Sequence, residues 1–159
     1  MLDKTTIINF GFPDILKNLN PQICFDDSFA EENLVGVGCH CRTDSAKFFL
    51  YDSSNGQSIF TMHFCITEGS TSLFDRLKTS ERRIHLQHIA TTASFRKQGI
   101  ASFYIRKLIG YCIDNDIHII TLDVCPSSED TSNALNESEL TKFYTRFSTN
   151  ELELLIIKC

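Results

Sequence analysis

Apolar and polar positions alternate from Ile84 to Thr91 (Ile84-His85-Leu86-Gln87-His88-Ile89-Ala90-Thr91), the pattern of a half-buried strand. A period of two places His85, Gln87 and Ile89 on one face of it and Leu86 and His88 on the other. The spacing then changes to helical. From about Gly99 to Asp114, Ala101, Tyr104, Ile105, Leu108, Ile109, Cys112 and Ile113 mark one face. Ile117 to Val124 is rich in β-branched residues and fits a buried parallel strand. A polar stretch, Ser127 to Asn136, leads to a helix from about Glu137 to Ser148 with its stripe at Leu140, Phe143, Tyr144 and Phe147. Glu151 to Cys159 closes the chain as a strand.

The first half carries weaker signals. Thr5 to Phe10 reads as a strand closed by Gly11 and Pro13, and Pro13 to Asn20 as a short helix. Pro21 to Cys41 has little pattern beyond a short helix around Ser28 to Asn33. Lys47 to Tyr51 and Ser58 to Ile66 read as paired strands, because Ser53-Ser54-Asn55-Gly56 between them tolerates positive φ. Thr67 to Arg83 reads as a loop, with a helical turn between Ser72 and Lys78. No repeat or linker interrupts the order, which predicts a single α/β domain over residues 1–159: a mixed sheet with flanking helices.

A chain of 159 residues can bury a sizeable core, and 42% hydrophobic with 22% charged residues excludes disorder. No basic start leads into an apolar run, and no stretch has the length of a membrane span, so a cytoplasmic protein without a membrane partner is expected. A net charge of −5 gives no general drive toward nucleic acid. Seven cysteines in an odd count, several inside predicted elements, suit reduced thiols better than a disulfide scaffold. Cys39-His40-Cys41 invites zinc, but no paired C-x-x-C supports it, so no metal is expected.

Between the alternating strand and the first long helix stands Arg96-Lys97-Gln98-Gly99-Ile100-Ala101. A helix that opens directly after a small-residue turn aims unpaired N–H groups and its positive dipole end into that turn, which suits phosphate. Gly99 and Ala101 leave room for a pyrophosphate against the backbone. An ordinary strand–turn–helix joint with a solvated basic turn would read the same way. The segment resembles the acyl-CoA-binding motif of the GNAT superfamily of N-acetyltransferases: Gln or Arg, two residues, Gly, one residue, then Gly or Ala. Arg96, Gly99 and Ala101 fill its fixed positions, and Ile89 to Phe95 is similar to the family's strand exit.

The resemblance implies a GNAT-like mixed sheet and acetyl-CoA as co-substrate. It implies that backbone N–H groups of Lys97, Gln98, Gly99, Ile100, Ala101 and Ser102 hold the pyrophosphate beside Arg96. The pantetheine arm would pair with the backbone of Ile89, Ala90 and Thr91 as an added strand. Phe95 would pack into the core. Arg76, Lys78, Arg82 and Arg83 form either a solvated basic loop or further contacts to CoA phosphates.

Acetyl transfer needs a neutral amine, and an alkyl ammonium has a pKa near about 10.4, so a base or a desolvated route must remove its proton. His85 is the candidate base, directly or through water, against the plainer reading of a structural histidine; His88 and Asp123 are weaker candidates. By resemblance Tyr144 is the acid for the leaving thiolate, or else a core aromatic. Asp26, Asp27, Glu31 and Glu32 would wall an acceptor site that favours a cationic amine, or lie in a solvated loop. The reading is an N-acetyltransferase acting by direct attack on acetyl-CoA in a ternary complex. Asn136 and Ser148 depart from the family pattern, which keeps open a non-catalytic GNAT-like domain that binds CoA or a protein partner.

Overall fold

A computed structural model describes residues 1–25, 39–68, 81–126 and 133–157. Its centre is the hairpin of β3 (Ser45–Asp52) and β4 (Gln57–Thr67). The predicted turn joins them: the Asp52 carboxylate accepts from the Ser54 N–H at 3.0 Å and hydroxyl at 2.7 Å, and Gly56 takes φ +71°. β5 (Arg83–Thr91) continues the sheet antiparallel to β4, and β6 (Ile119–Asp123) and β7 (Glu153–Ile157) add in parallel. On the other side β1 (Pro21–Cys24) and β2 (His40–Cys41) both pair with β3. The described sheet has seven strands, in the order β1-β3-β4-β5-β6-β7 with β2 beside β3.

Parallel neighbours need crossovers, supplied by α2 (Ile100–Asp114) and α3 (Glu137–Thr145). α3 begins in a capping box, with Asn136 Oδ1 accepting from the Glu139 N–H and Glu139 Oε2 accepting from the Asn136 N–H. Both helices pack on the face that carries Phe48, Phe60, Met62, Phe64, Ile84 and Leu86, in one continuous core. Tyr104 of α2 stacks on Phe60 at 4.9 Å and meets Phe48 at 5.5 Å. Its hydroxyl donates to the Gly11 carbonyl at 2.9 Å, tying the N-terminal segment to the core. Phe95 packs against the same core.

Three sequence expectations change. Residues 5–10 contribute to α1 (Lys4–Asn9), not a strand. Asp3 caps it, accepting from the Thr6 N–H at 2.7 Å and hydroxyl at 2.8 Å, and Ile7 and Phe10 are buried at helical spacing while Ile8 is exposed. The expected helix over 13–20 shortens to a 3-10 turn at Asp14–Leu16, followed at once by β1. The simple alternation of β5 also fails. Leu86 pairs with Phe64 but His88 pairs with His63, so Gln87 is an extra residue in a β-bulge. His85 and His88 therefore share one face, and Leu86 and Ile89 share the opposite, core-side face.

The last helix ends at Thr145, short of Ser148, and the last strand begins at Glu153, past Glu151, while the helices expected around Ser28–Asn33 and Ser72–Lys78 lie outside the described residues. Cys41, Cys65 and Cys112 are free thiols, as expected, but Cys125 is disulfide-bonded, against the expectation of reduced cysteines throughout. His40 and Cys41 alternate across β2, so they cannot converge on one ion. No cluster of metal-ligating side chains occurs among the described residues.

Candidate active site

β5 pairs with β6 only over Ile84, His85 and Leu86, opposite Ile120, Thr121 and Leu122. Residues 87–91 then continue without β6. One backbone edge of β5 faces away from β4 there, and an extended ligand could pair with it. The opening coincides with the bulge at Gln87, which bends a strand and raises its twist.

The motif turn lies at the end of this edge. Residues 93–95 form a 3-10 turn, then Lys97 and Gly99 both adopt left-handed backbone, at φ +62° and φ +85°. Nothing lies within 4 Å of where a Gly99 side chain would begin, so the requirement for glycine there is conformational. The first N–H bonded into the helix from this end is that of Phe103, to the Gly99 carbonyl. By helix geometry the N–H groups of Ile100, Ala101 and Ser102 precede any intrahelical partner and point back over the turn. Side chains brace the turn: Arg96 Nε donates to the Thr91 carbonyl at 3.0 Å and Gln98 to the Ser94 carbonyl at 2.9 Å. The Thr91 carbonyl is thus shared with Arg96, leaving the pairing surface on β5 centred on Ile89 and Ala90. Arg146, just past α3, donates to the Ser102 hydroxyl at 2.7 Å, which leaves that hydroxyl's own proton and the Ser102 N–H to serve the turn.

His85 sits one residue before Leu86, the last residue of β5 paired with β6, on the face opposite the core. Its Nδ1 is 3.1 Å from the Thr121 hydroxyl. That hydroxyl donates to the Ile84 carbonyl at 3.3 Å, which can only accept. Thr121 therefore accepts from His85, placing the neutral ring's proton on Nδ1 and leaving Nε2 basic. Asp123 Oδ2 lies 3.9 Å from Nε2, close enough to stabilise the ring once it is protonated. Neither Thr121 nor its role was visible in the sequence; a threonine in a strand core carries no signal until pairing puts it beside a histidine.

Tyr144 lies on α3 and is buried with Phe147 in the main core. Burial raises the pKa of its phenol well above the ordinary tyrosine value, so it stays protonated at any working pH. Tyr144 and His85 occupy opposite faces of the sheet, and β5 parts from β6 just beyond His85. The other basic residues do not join the site. Arg83 is buried as the first residue of β5, about 26 Å along the strand from its far end, and Arg82 pairs with Glu68 at 3.5 Å. Neither can reach a phosphate at the motif turn. Arg76, Lys78, Asp26, Asp27, Glu31 and Glu32 lie outside the described residues.

A family model described as Acetyltransferase (GNAT) family matches residues 12–140, most of the chain. The chain belongs to this family. The GNAT match contains the open edge of β5, the motif turn and α2 and stops within α3, before Tyr144. No curated protein is recognisably similar in sequence. Among solved structures, this GNAT chain is similar to a ribosomal-protein-alanine N-acetyltransferase from Brucella melitensis biovar Abortus 2308, with 14% identity, 74% of this chain and 75% of that one covered, and a TM-score of 0.44. It is similar to a Trypanosoma brucei acetyltransferase, with 16% identity, coverage of 70% and 66%, and a TM-score of 0.47. An aminoglycoside acetyltransferase from an uncultured soil metagenomic sample gives 14% identity, coverage of 71% and 64%, and a TM-score of 0.48.

Proposed function

We propose that the protein is an acyl-CoA-dependent N-acetyltransferase that moves an acetyl group from acetyl-CoA to a primary amine by direct attack in a ternary complex. The observation that carries this is the parting of β5 from β6 at Leu86, with the glycine-bearing turn and the start of α2 at the end of the open edge. The fit is physical. The edge offers main-chain groups to the amides of a pantetheine arm, and the turn offers N–H groups to a pyrophosphate.

Acetyl-CoA, when bound, supplies an electrophilic thioester whose acetyl group passes to the amine as the thiol leaves. The protein's part is proton handling. His85 takes the ammonium proton at Nε2, with Thr121 fixing the tautomer and Asp123 favouring the imidazolium that forms. Tyr144, kept neutral by burial, holds a proton for the departing thiolate. The N–C bond forms, the C–S bond breaks, and one proton moves at each end.

Thermal unfolding with and without acetyl-CoA, against free adenosine diphosphate, tests the binding half. At a concentration about a hundred times Kd, the ligand should add about 2.7 kcal/mol of stability, well beyond the nucleotide's effect. No shift at millimolar acetyl-CoA would overturn the proposal. Tyr144→Phe tests the chemistry: it should keep that stabilisation while kcat falls by about 100-fold. Full turnover in the variant would remove Tyr144 from the mechanism.

A further inference from the structure

Four basic side chains occupy directly paired positions on four neighbouring strands. His40 on β2 is opposite Lys47 on β3, Lys47 is opposite His63 on β4, and His63 is opposite His88 on β5. Directly opposed residues share a face with Cβ atoms about 5 Å apart, and like charges so placed repel one another. The rings of His40 and His63 meet edge to face, 5.2 Å between centroids. The row ends at His88, which is exposed, just where β5 has lost β6. It joins His85 there: the bulge puts both histidines on this face.

The row is basic by construction. Lys47 is its fixed charge. Partial burial, then repulsion from His40, Lys47, His88 and His85, hold the His63 pKa down at about 4. Partial burial and Lys47 lower that of His88. At neutral pH these imidazoles are neutral N–H donors beside an ammonium. The described carboxylates facing the patch stand at its flanks: Asp44 acts on Cys65, and Asp123 stands by His85. Neither occupies a position in the row. An anion meets in this row one ammonium and N–H donors that it can engage together, and its binding would favour the charged imidazoles that the row otherwise disfavours.

We propose that Lys47, His63 and His88 form a binding site for an anionic group, a carboxylate or a phosphate, carried by the acceptor amine, so that the enzyme selects amines bearing a negative charge. The anion site is independent of the acetyltransferase reading; its role in choosing the acceptor rests on that reading. It replaces the cationic acceptor expected from Asp26, Asp27, Glu31 and Glu32 with one argued from the described sheet.

Two measurements test it. In the first, imidazole resonances are followed by NMR while the protein is titrated with 4-aminobutyrate, phosphoethanolamine, and their uncharged-end or cationic counterparts ethanolamine and 1,4-diaminobutane. The His63 and His88 signals should respond to the anionic amines only, and their pKa values should rise on binding. The relative response to 4-aminobutyrate and phosphoethanolamine separates carboxylate from phosphate. Lys47→Gln should weaken the response about tenfold, and Lys47→Arg should restore it. In the second, the same amines are compared as acceptors: kcat/KM should favour the anionic members and fall about tenfold in Lys47→Gln, with acetyl-CoA stabilisation unchanged. Equal responses to anionic and cationic amines, or a preference for 1,4-diaminobutane, would overturn the anion site. A selective imidazole response in a protein that acetyl-CoA does not stabilise would uphold the site and overturn the acetyltransferase reading instead.

Discussion

Replacing His85 by glutamine should lower kcat by about 100-fold to 10,000-fold, the range spanned by a positioned general base. The substitution is chosen to spare the structure. A glutamine amide can still donate to the Thr121 hydroxyl, the contact that His85 Nδ1 makes at 3.1 Å, and it removes only the basic nitrogen. Acetyl-CoA stabilisation should therefore persist, because the phosphate turn and the open edge of β5 lie beyond Leu86. A variant with wild-type kcat would show that water or another group takes the proton.

Phe60→Ala should cost about 3–5 kcal/mol, the usual penalty for deleting a buried phenylalanine. Phe60 is fully buried, stacks on Tyr104 at an interplanar angle of 17° and packs 6.2 Å from Phe48. It stands opposite Thr91, the last residue of β5, so the cavity would open directly behind the strand end that leads into the motif turn. Set against a total stability of about 5–15 kcal/mol, the loss removes most of the margin of an ordinary domain. Urea unfolding should show a much lower midpoint with an unchanged slope. A loss below about 1 kcal/mol would mean that this aromatic cluster is not the mechanical link between sheet and α2.

The second half of the chain was legible because each element there carries a clean period and its own boundary. α2, β6 and α3 follow hydrophobic spacing, β5 does so as far as the bulge at Gln87, and the turn between β5 and α2 is punctuated by Gly99. The N-terminal helix was not legible. Thr5-Thr6-Ile7-Ile8 has strand composition, and what decides against a strand is the Asp3 cap together with burial of Ile7 and Phe10 by tertiary contacts. β1 was missed for a related reason: four residues beginning with proline hold their place by pairing with β3, not by pattern. In the site, His85 and the motif turn could be read locally. Thr121, Lys47 and His63 could not, since strand register alone brings Thr121 to His85 and sets Lys47 and His63 in line with His88. Arg96 shows the opposite limit. Its place in the motif was visible, but not that its guanidinium braces the end of the preceding strand.

The bulge at Gln87 decides the facing of His88, Ile89, Ala90 and Thr91. In plain alternation His88 would turn toward the core and Ile89 away from it; the surplus residue lets His88 join His85 and returns Ile89 to the core. Deleting Gln87 would straighten β5 and keep that facing, because Leu86 and His88 would then be neighbours in ordinary alternation. What holds this face is the bulge itself: a change that let the strand run through Gln87 without it would turn an imidazole inward and an isoleucine outward in one step.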